Sequence, residues 1–196
     1  MLQFEEDPYY YRHRLTMPKL VVNAVLDEFQ QPDDTHYWWK EMPEPKHFLM
    51  TPNAEHSEAT GILEIVPAIG TWLNYLLLEE TVPEFKWTID ENTGEIVATL
   101  DGNGRVHSAH VWYAYSCGTN PDGIPRRDFR IMSLDSPCTC GVESDGYCLN
   151  TKSFWNSTEL EQSIEKGRRT YRALVDPPDD GHYVAFFIDI KYEKLR

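Results

Sequence analysis

Three consecutive segments, LTMPKLVVNAVLDEF (residues 15–29), QPDDTHYWW (31–39) and KHFLMTPNAEHS (46–57), decide the reading of the fold. After Pro18, residues Lys19 to Val25 form a short unbroken apolar and β-branched run, the pattern of a strand covered on both faces in a parallel sheet. Lys46-His-Phe-Leu-Met50 reads as the next strand. Each is followed by a titratable side chain, Asp27 in Leu26-Asp27-Glu28-Phe29 and His56 at the end of Thr51-Pro-Asn-Ala-Glu-His56. Ligands and catalytic groups in open α/β sheets gather at the carboxyl ends of strands, so Asp27 and His56 are expected on one edge. Between them, Asp33 or Asp34 after Pro32 is placed to N-cap a short helix over residues 35–42, which Pro43 and Pro45 stop.

Residues 1–14 read as an incoming connection, with a turn at Asp7-Pro8. From Gly61 to about Glu80, Ile62, Ile65, Val66, Ile69, Trp72, Leu73, Leu76 and Leu77 recur at helical spacing, which predicts an amphipathic helix bent at Pro67. The pattern changes near Pro83. Short β-type runs at 85–89, 95–100, 107–115, 129–132 and 182–192 are separated by turn residues, among them Asn92-Thr93-Gly94 and Asp101-Gly-Asn-Gly104. This predicts a β-rich, sandwich-like module over 83–196, after an α/β portion over 1–82. Residues 133–152 read as a long surface loop, and 156–169 as holding a short helix.

The 41% hydrophobic content of 196 residues is enough to bury a core, as one large domain or two small ones. The formal charge of −14, from 32 acidic and 18 basic residues without a basic face, argues against nucleic acid or anionic membrane as a partner. No apolar run reaches the roughly 20 residues of a membrane span, and the first residues lack a signal peptide's apolar core. Cys117, Cys138, Cys140 and Cys148 lie in the second half, and an Asn-Ser-Thr sequon begins at Asn156. Both point to an extracellular protein.

An Asp and a His at one sheet edge are what a serine or cysteine hydrolase uses: the imidazole takes the nucleophile's proton while the carboxylate fixes its tautomer. The order of acid before histidine is that of α/β-hydrolases. Against this stands the plainer reading, in which Asp27 caps a turn and His56 is a loop residue. Glu28, Asp33 and Asp34 are alternatives for the acid. No Gly-x-Ser-x-Gly turn exists in the sequence; Ser57 lies on no elbow, and Ser108 and Cys117 follow the histidine. The site is therefore expected to hold Asp27 and His56 without a nucleophile. Cys138-x-Cys140 with Cys148 lacks a fourth ligand at zinc spacing, so a disulfide is preferred over a metal. No cofactor is expected. The Asp90 and Asp101 segments read as turns rather than calcium loops, and the aromatic residues at 37–39 and 112–115 as core rather than a carbohydrate platform.

The strings DPYYYRHRLTMPKLVVNAVLDEFQQPDDTHYWW, PNAEHS and RRDFRIM resemble the PhoPQ-activated pathogenicity-related proteins, most strongly from Asp7 to Trp72. The resemblance implies the C-terminal part of an α/β-hydrolase-like parallel sheet, with Asp27 and His56 at the acid and histidine positions, followed by a β-rich module in an exported protein. It implies that the nucleophile-bearing strands lie outside this chain, which would then be inactive alone. The alternative it carries is a secreted signalling or binding protein on the same scaffold. The substrate or receptor stays open, and a sheet ending at two strands would expose an edge through which chains associate.

Overall fold

In the computed structural model, which describes residues 5–102 and 104–193, β1 (Lys19–Ala24) and β2 (Lys46–Thr51) pair in parallel, from Lys19 opposite Lys46 to Ala24 opposite Thr51. A lysine anchors the start of each strand. Lys19 Nζ donates to the carbonyls of Leu15 at 2.7 Å and Met17 at 3.0 Å. Lys46 Nζ donates to those of Trp39 and Met42, both at 2.8 Å. Past the last paired residues the ladder continues, Val25 N donating to Thr51 O at 3.2 Å and Leu26 N to Ala54 O at 3.0 Å. Ala24, Val25, Leu26 and Ala54 are buried along this line.

Two expectations for this half are corrected. Among the described residues β1–β2 is the only parallel pairing, and the other three sheets are antiparallel, so the large parallel sheet of an α/β-hydrolase is not present. The fold is mixed α/β. Two continuous apolar runs identify two strands; they carry no information on how many neighbours those strands have. Secondly, the helix expected over 35–42 is two 3-10 turns, Pro32–Tyr37 and Trp39–Glu41. Thr35, His36, Tyr37, Trp38 and Trp39 are weak helix formers, and Pro43 leaves too little chain to offset the cost of nucleation. Another 3-10 segment, Pro8–Arg14, starts at Asp7, whose carboxylate accepts from Tyr9 N at 2.9 Å. Tyr9 Oη and the Arg12 guanidinium both donate to Glu41, fastening the incoming segment to the second turn. Residues 1–4 lie outside the described residues.

Helix α1 (Ile62–Leu77) follows a 3-10 turn at Ala59–Gly61 and contains Pro67. A Cβ on Gly61 would lie 2.3 Å from Thr51 Cγ2, so glycine is what lets this turn approach the end of β2. With its leading turn, the stretch Ala59–Leu77 has 19 residues and mean hydropathy 1.2, a marginal membrane-span candidate by length and composition. One helix of this kind is weak evidence for a span, since the criterion rests on length and composition only. The chain forms two compact units, Met1–Ile69 and Gly70–Arg196, with the division inside α1.

The second unit is antiparallel. A hairpin joins β3 (Glu84–Ile89) to β4 (Ile96–Asp101), closed by Asp90, whose carboxylate accepts from Asn92 N and Thr93 N at 2.9 Å each. Those bonds hold the Asp90 carboxyl below its usual range. β5 (Val106–Tyr115) pairs with both β9 (Asn156–Glu159) and β12 (Val184–Tyr192), while β10 (Ser163–Glu165), β11 (Arg168–Ala173), β4 and β3 make a four-stranded sheet in that order. Ala98, Leu100, Ala109, Tyr171 and Ile190 form a common core drawn from both sheets. The second turn signal, 101–104, includes Asn103, which lies outside the described residues.

Two further readings are corrected here. Residues 133–152 are not a loop: β6 (Met132–Ser133), β8 (Tyr147–Leu149) and β7 (Val142–Ser144) form a small sheet in that order, with disulfides Cys117–Cys140 and Cys138–Cys148. The expected helix over 156–169 is strand, because Lys166 and Gly167 both take positive φ (50° and 78°) and close a two-residue hairpin between β10 and β11.

Gly141 marks the tightest approach in the small sheet, since a Cβ there would stand 1.8 Å from the Leu149 carbonyl oxygen and 2.7 Å from Thr151 N. Gly141→Ala is therefore expected to destabilise the protein by at least about 1–3 kcal/mol. Gly70→Ala, inside α1 with nothing within 4 Å of the new methyl, should stabilise it by about 0.5–1 kcal/mol through helix propensity. Urea unfolding of both variants measures the contrast.

Candidate functional site

Parallel pairing sends both strands out of the sheet on the same side, and the site is built where they leave it. Asp27 is three residues past β1 and His56 five past β2. Leu26, held by the Ala54 carbonyl, fixes the separation of the two loops. His56 Nδ1 lies 3.2 Å from Asp27 Oδ1 and 3.1 Å from Oδ2. A carboxylate only accepts, so this geometry places the proton on Nδ1 and leaves Nε2 as the basic nitrogen. The Asp27 side chain is 8% exposed and that of His56 48%.

Asp27 Oδ1 also accepts from the backbone N–H groups of Phe29 at 2.7 Å and Gln30 at 2.8 Å. The Phe29 ring meets the imidazole edge-on, with centroids 4.7 Å apart. Glu28, an alternative acid at sequence level, accepts instead from the His56 backbone N–H at 3.2 Å, positioning the loop rather than the ring. Asp33 and Asp34 fall in the first turn of the 32–37 segment.

Ser57 adjoins His56, yet its hydroxyl donates to Glu55. Thr60 Oγ1 and Ala59 N also donate to Glu55. Ser57 first, and then Thr60, pull the Glu55 carboxyl down to about 2. Glu58, with φ of 58°, is shifted the other way, burial raising it first and the Asp27 and Glu55 charges adding to that. Ser108 lies in β5, and Cys117 is bonded to Cys140 and therefore not a thiol.

Beside the carboxyl end of β1 a cleft of about 310 Å³ is lined by Asn23, Gln30, Gln31, Asp34, Thr35 and Trp38. Three carboxamides, a carboxylate and an indole suit a polar ligand. Gln30 belongs both to this lining and to the Asp27 turn. All four cysteines are in disulfides and so offer no thiolate to a metal; among the described residues no cluster of three or more His, Cys, Asp or Glu side chains could hold an ion.

The second unit carries a surface of another kind. In the small sheet Leu149 lies opposite both Met132 and Val142. Alternation puts Tyr147 on the same face and Cys148 on the other, and Cys148 is fully buried. Val142 is 59% and Tyr147 47% exposed, and Met132, Leu134 and Leu149 are exposed beside them. The segment Arg126–Met132 supports this sheet: Arg130 chelates the buried Asp128 carboxylate at 2.9 and 2.6 Å. Asn150 Nδ2 in turn donates to the Arg130 carbonyl at 2.9 Å.

Sequence reasoning passed over Glu55, Phe29 and this apolar face. The triplet Glu55-His-Ser57 held a local signal, a carboxylate two residues from a hydroxyl. The apolar face held none, because Val142, Tyr147 and Leu149 sit in a segment whose strands are set by cystine pairing.

The family model of the PhoPQ-activated pathogenicity-related proteins matches residues 1–130. The chain belongs to this family. It is 30% identical over 194 residues to Autocrine proliferation repressor protein A of Dictyostelium discoideum, an alignment that takes in 95% of this chain and 35% of that protein. The chain thus spans about a third of the length of this relative. No solved structure matches it. The expectation of a resemblance restricted to the family's C-terminal part is corrected by the match from residue 1 to 130 and by the near-complete alignment. The description "α/β-hydrolase" is corrected as well, for want of the large parallel sheet among the described residues.

The depressed Glu55 carboxyl links the His56 loop to pH. Its folded value, about 2, lies below the unfolded carboxyl's 4.5, so its stabilisation is fully present above about pH 4.5 and disappears as pH falls through 2. Glu55→Gln should flatten the dependence of melting temperature on pH within that window and leave the curve's shape above it unchanged. Thermal melts of wild type and variant between pH 2 and 6 provide the comparison.

Proposed function

We propose that this is a secreted protein that acts by binding a partner, in the manner of a signal, rather than by hydrolysis. The observation that carries the reading is the apolar face of the disulfide-stapled sheet: Met132, Val142, Tyr147 and Leu149 stand outward while both cystines secure the backbone beneath them. Exposed apolar residues gathered on a rigid support are what protein recognition uses. The disulfides agree with an extracellular setting, and the name of the Dictyostelium relative, an autocrine repressor, points the same way. Ser57, the hydroxyl nearest His56 in sequence, is engaged by Glu55, which weighs against nucleophilic catalysis.

A second reading rests on the Asp27–His56 hydrogen bond. It makes the pair a proton-accepting dyad beside the 310 Å³ polar cleft, with His56 Nε2 as the base and Asp27 as its orienting group. The two readings separate on substitution. Purified protein is added to cultures of cells from its own source and proliferation is scored. Val142→Asp is expected to weaken the response about tenfold, equivalent to about 1.4 kcal/mol of binding, and His56→Ala to leave it intact. Loss of activity in His56→Ala with full activity in Val142→Asp, or labelling of wild-type serine by a fluorophosphonate, would overturn the binding reading in favour of the dyad.

A further inference from the structure

The chain contains a single Asn-x-Ser/Thr sequon, Asn156-Ser157-Thr158, and the fold sets it in a particular place. These residues open β9, which pairs with β5 on one side, Asn156 opposite Tyr113 and Thr158 opposite Val111. In the strand order β12-β5-β9 the other side of β9 has no neighbour among the described strands. All four residues of β9 are exposed. Asn156 and Thr158 are two apart on an extended strand and so share a face. The Asn156 amide nitrogen makes one long hydrogen bond, to the Phe154 carbonyl at 3.4 Å, and an amide has two N–H groups.

An unpaired strand edge is a template for association with other chains, and proteins cover or interrupt such edges. β9 has only four residues, Asn-Ser-Thr-Glu, and of these only Glu159 carries a charge to guard it.

We propose that Asn156 is a site of N-linked glycosylation and that its glycan shields the open edge of β9. This rests on the reading of the protein as secreted, since the donor is met only along the export route. In the transfer, Asn156 Nδ2 forms a bond to C1 of the reducing-end sugar of a lipid-linked oligosaccharide pyrophosphate. The C1–O bond to the pyrophosphate breaks, the lipid pyrophosphate departs with the bonding electron pair, and the amide releases one proton. The remaining N–H can keep the Phe154 carbonyl. The product needs no burial of the sugar, because Asn156 is already exposed, on a strand whose outer edge is open among the described strands.

The full chain, directed into the endoplasmic reticulum of a eukaryotic host by a cleavable leader, provides the test. Treatment with a peptide N-glycosidase is expected to shift the wild-type protein to one species of lower mass and to leave Asp at position 156 in the corresponding peptide. Asn156→Gln and Thr158→Ala should show no shift, and Thr158→Ser should retain it. Unglycosylated variants are expected to elute at larger apparent size as their concentration rises, where wild type does not. Protein recovered from the medium with both disulfides formed and no glycan at Asn156 overturns the proposal and leaves the secreted reading standing. A glycan on protein that the cell retains supports the site and counts against that reading.

Discussion

A carboxylate that is 8% exposed must be given hydrogen-bond donors where it stands, and in the first unit Asp27 is that carboxylate. Its donors are the backbone N–H groups of Phe29 and Gln30 and the Nδ1–H of His56. Supplying them curls the chain after Leu26 and draws the loop after β2 across to meet it. The remaining features of the region follow from that requirement. Glu28 reaches the His56 backbone, Phe29 packs against the imidazole, and Glu55 gathers Ser57, Ala59 and Thr60 into the turn ahead of α1.

The second unit solves a different problem. Its principal core lies between the two larger sheets, and the 126–155 region is too polar and too short in its strands to build one like it. There the ordering comes from connections: Arg130 on Asp128, Asn150 on the Arg130 backbone, the two cystines, and a run of rings from Phe129 through Trp155 to Phe187. With the backbone fixed by these, Val142 and Tyr147 can stay in water without collapsing inward. A sheet this small ordinarily needs a packed hydrophobic face to be stable by itself; here the cross-links share that stabilising role.

The strands at Lys19 and Lys46 were readable because short, mainly apolar runs bounded by turn residues have few other solutions, and the Asn92-Thr93-Gly94 hairpin because Asp90 and a glycine, which takes positive φ here, mark the turn. Asp27 and His56 could be placed near one another from spacing alone. Their surroundings could not, since the roles of Ser57 and Glu55 depend on rotamers that nothing in the sequence specifies. The size of the parallel sheet was misjudged for a related reason: such runs were read as strands covered on both faces, whereas every residue of the two strands before Ala24 and Thr51 is only half-buried. The Lys166-Gly167 hairpin was overlooked because it lies inside a charged stretch whose composition reads as helix. The cystine-linked sheet was unreadable because four cysteines permit three pairings.

Those pairings are interleaved, Cys117 with Cys140 and Cys138 with Cys148, with Thr139 alone between two cysteines of different bonds. Exchanging Cys138 for Cys140 would shorten each closed loop by only two residues, and loop closure entropy varies so slowly with length that the unfolded chain barely distinguishes the two isomers. Selection has to come from the folded surroundings, where Cys140 and Cys148 are both buried and Gly141 sits under the Leu149 carbonyl. An isomer with Cys138 and Cys140 exchanged would return to the native pairing only by thiol–disulfide exchange. The yield of correctly paired protein depends on how long the cell's redox machinery keeps the wrong isomer reversible.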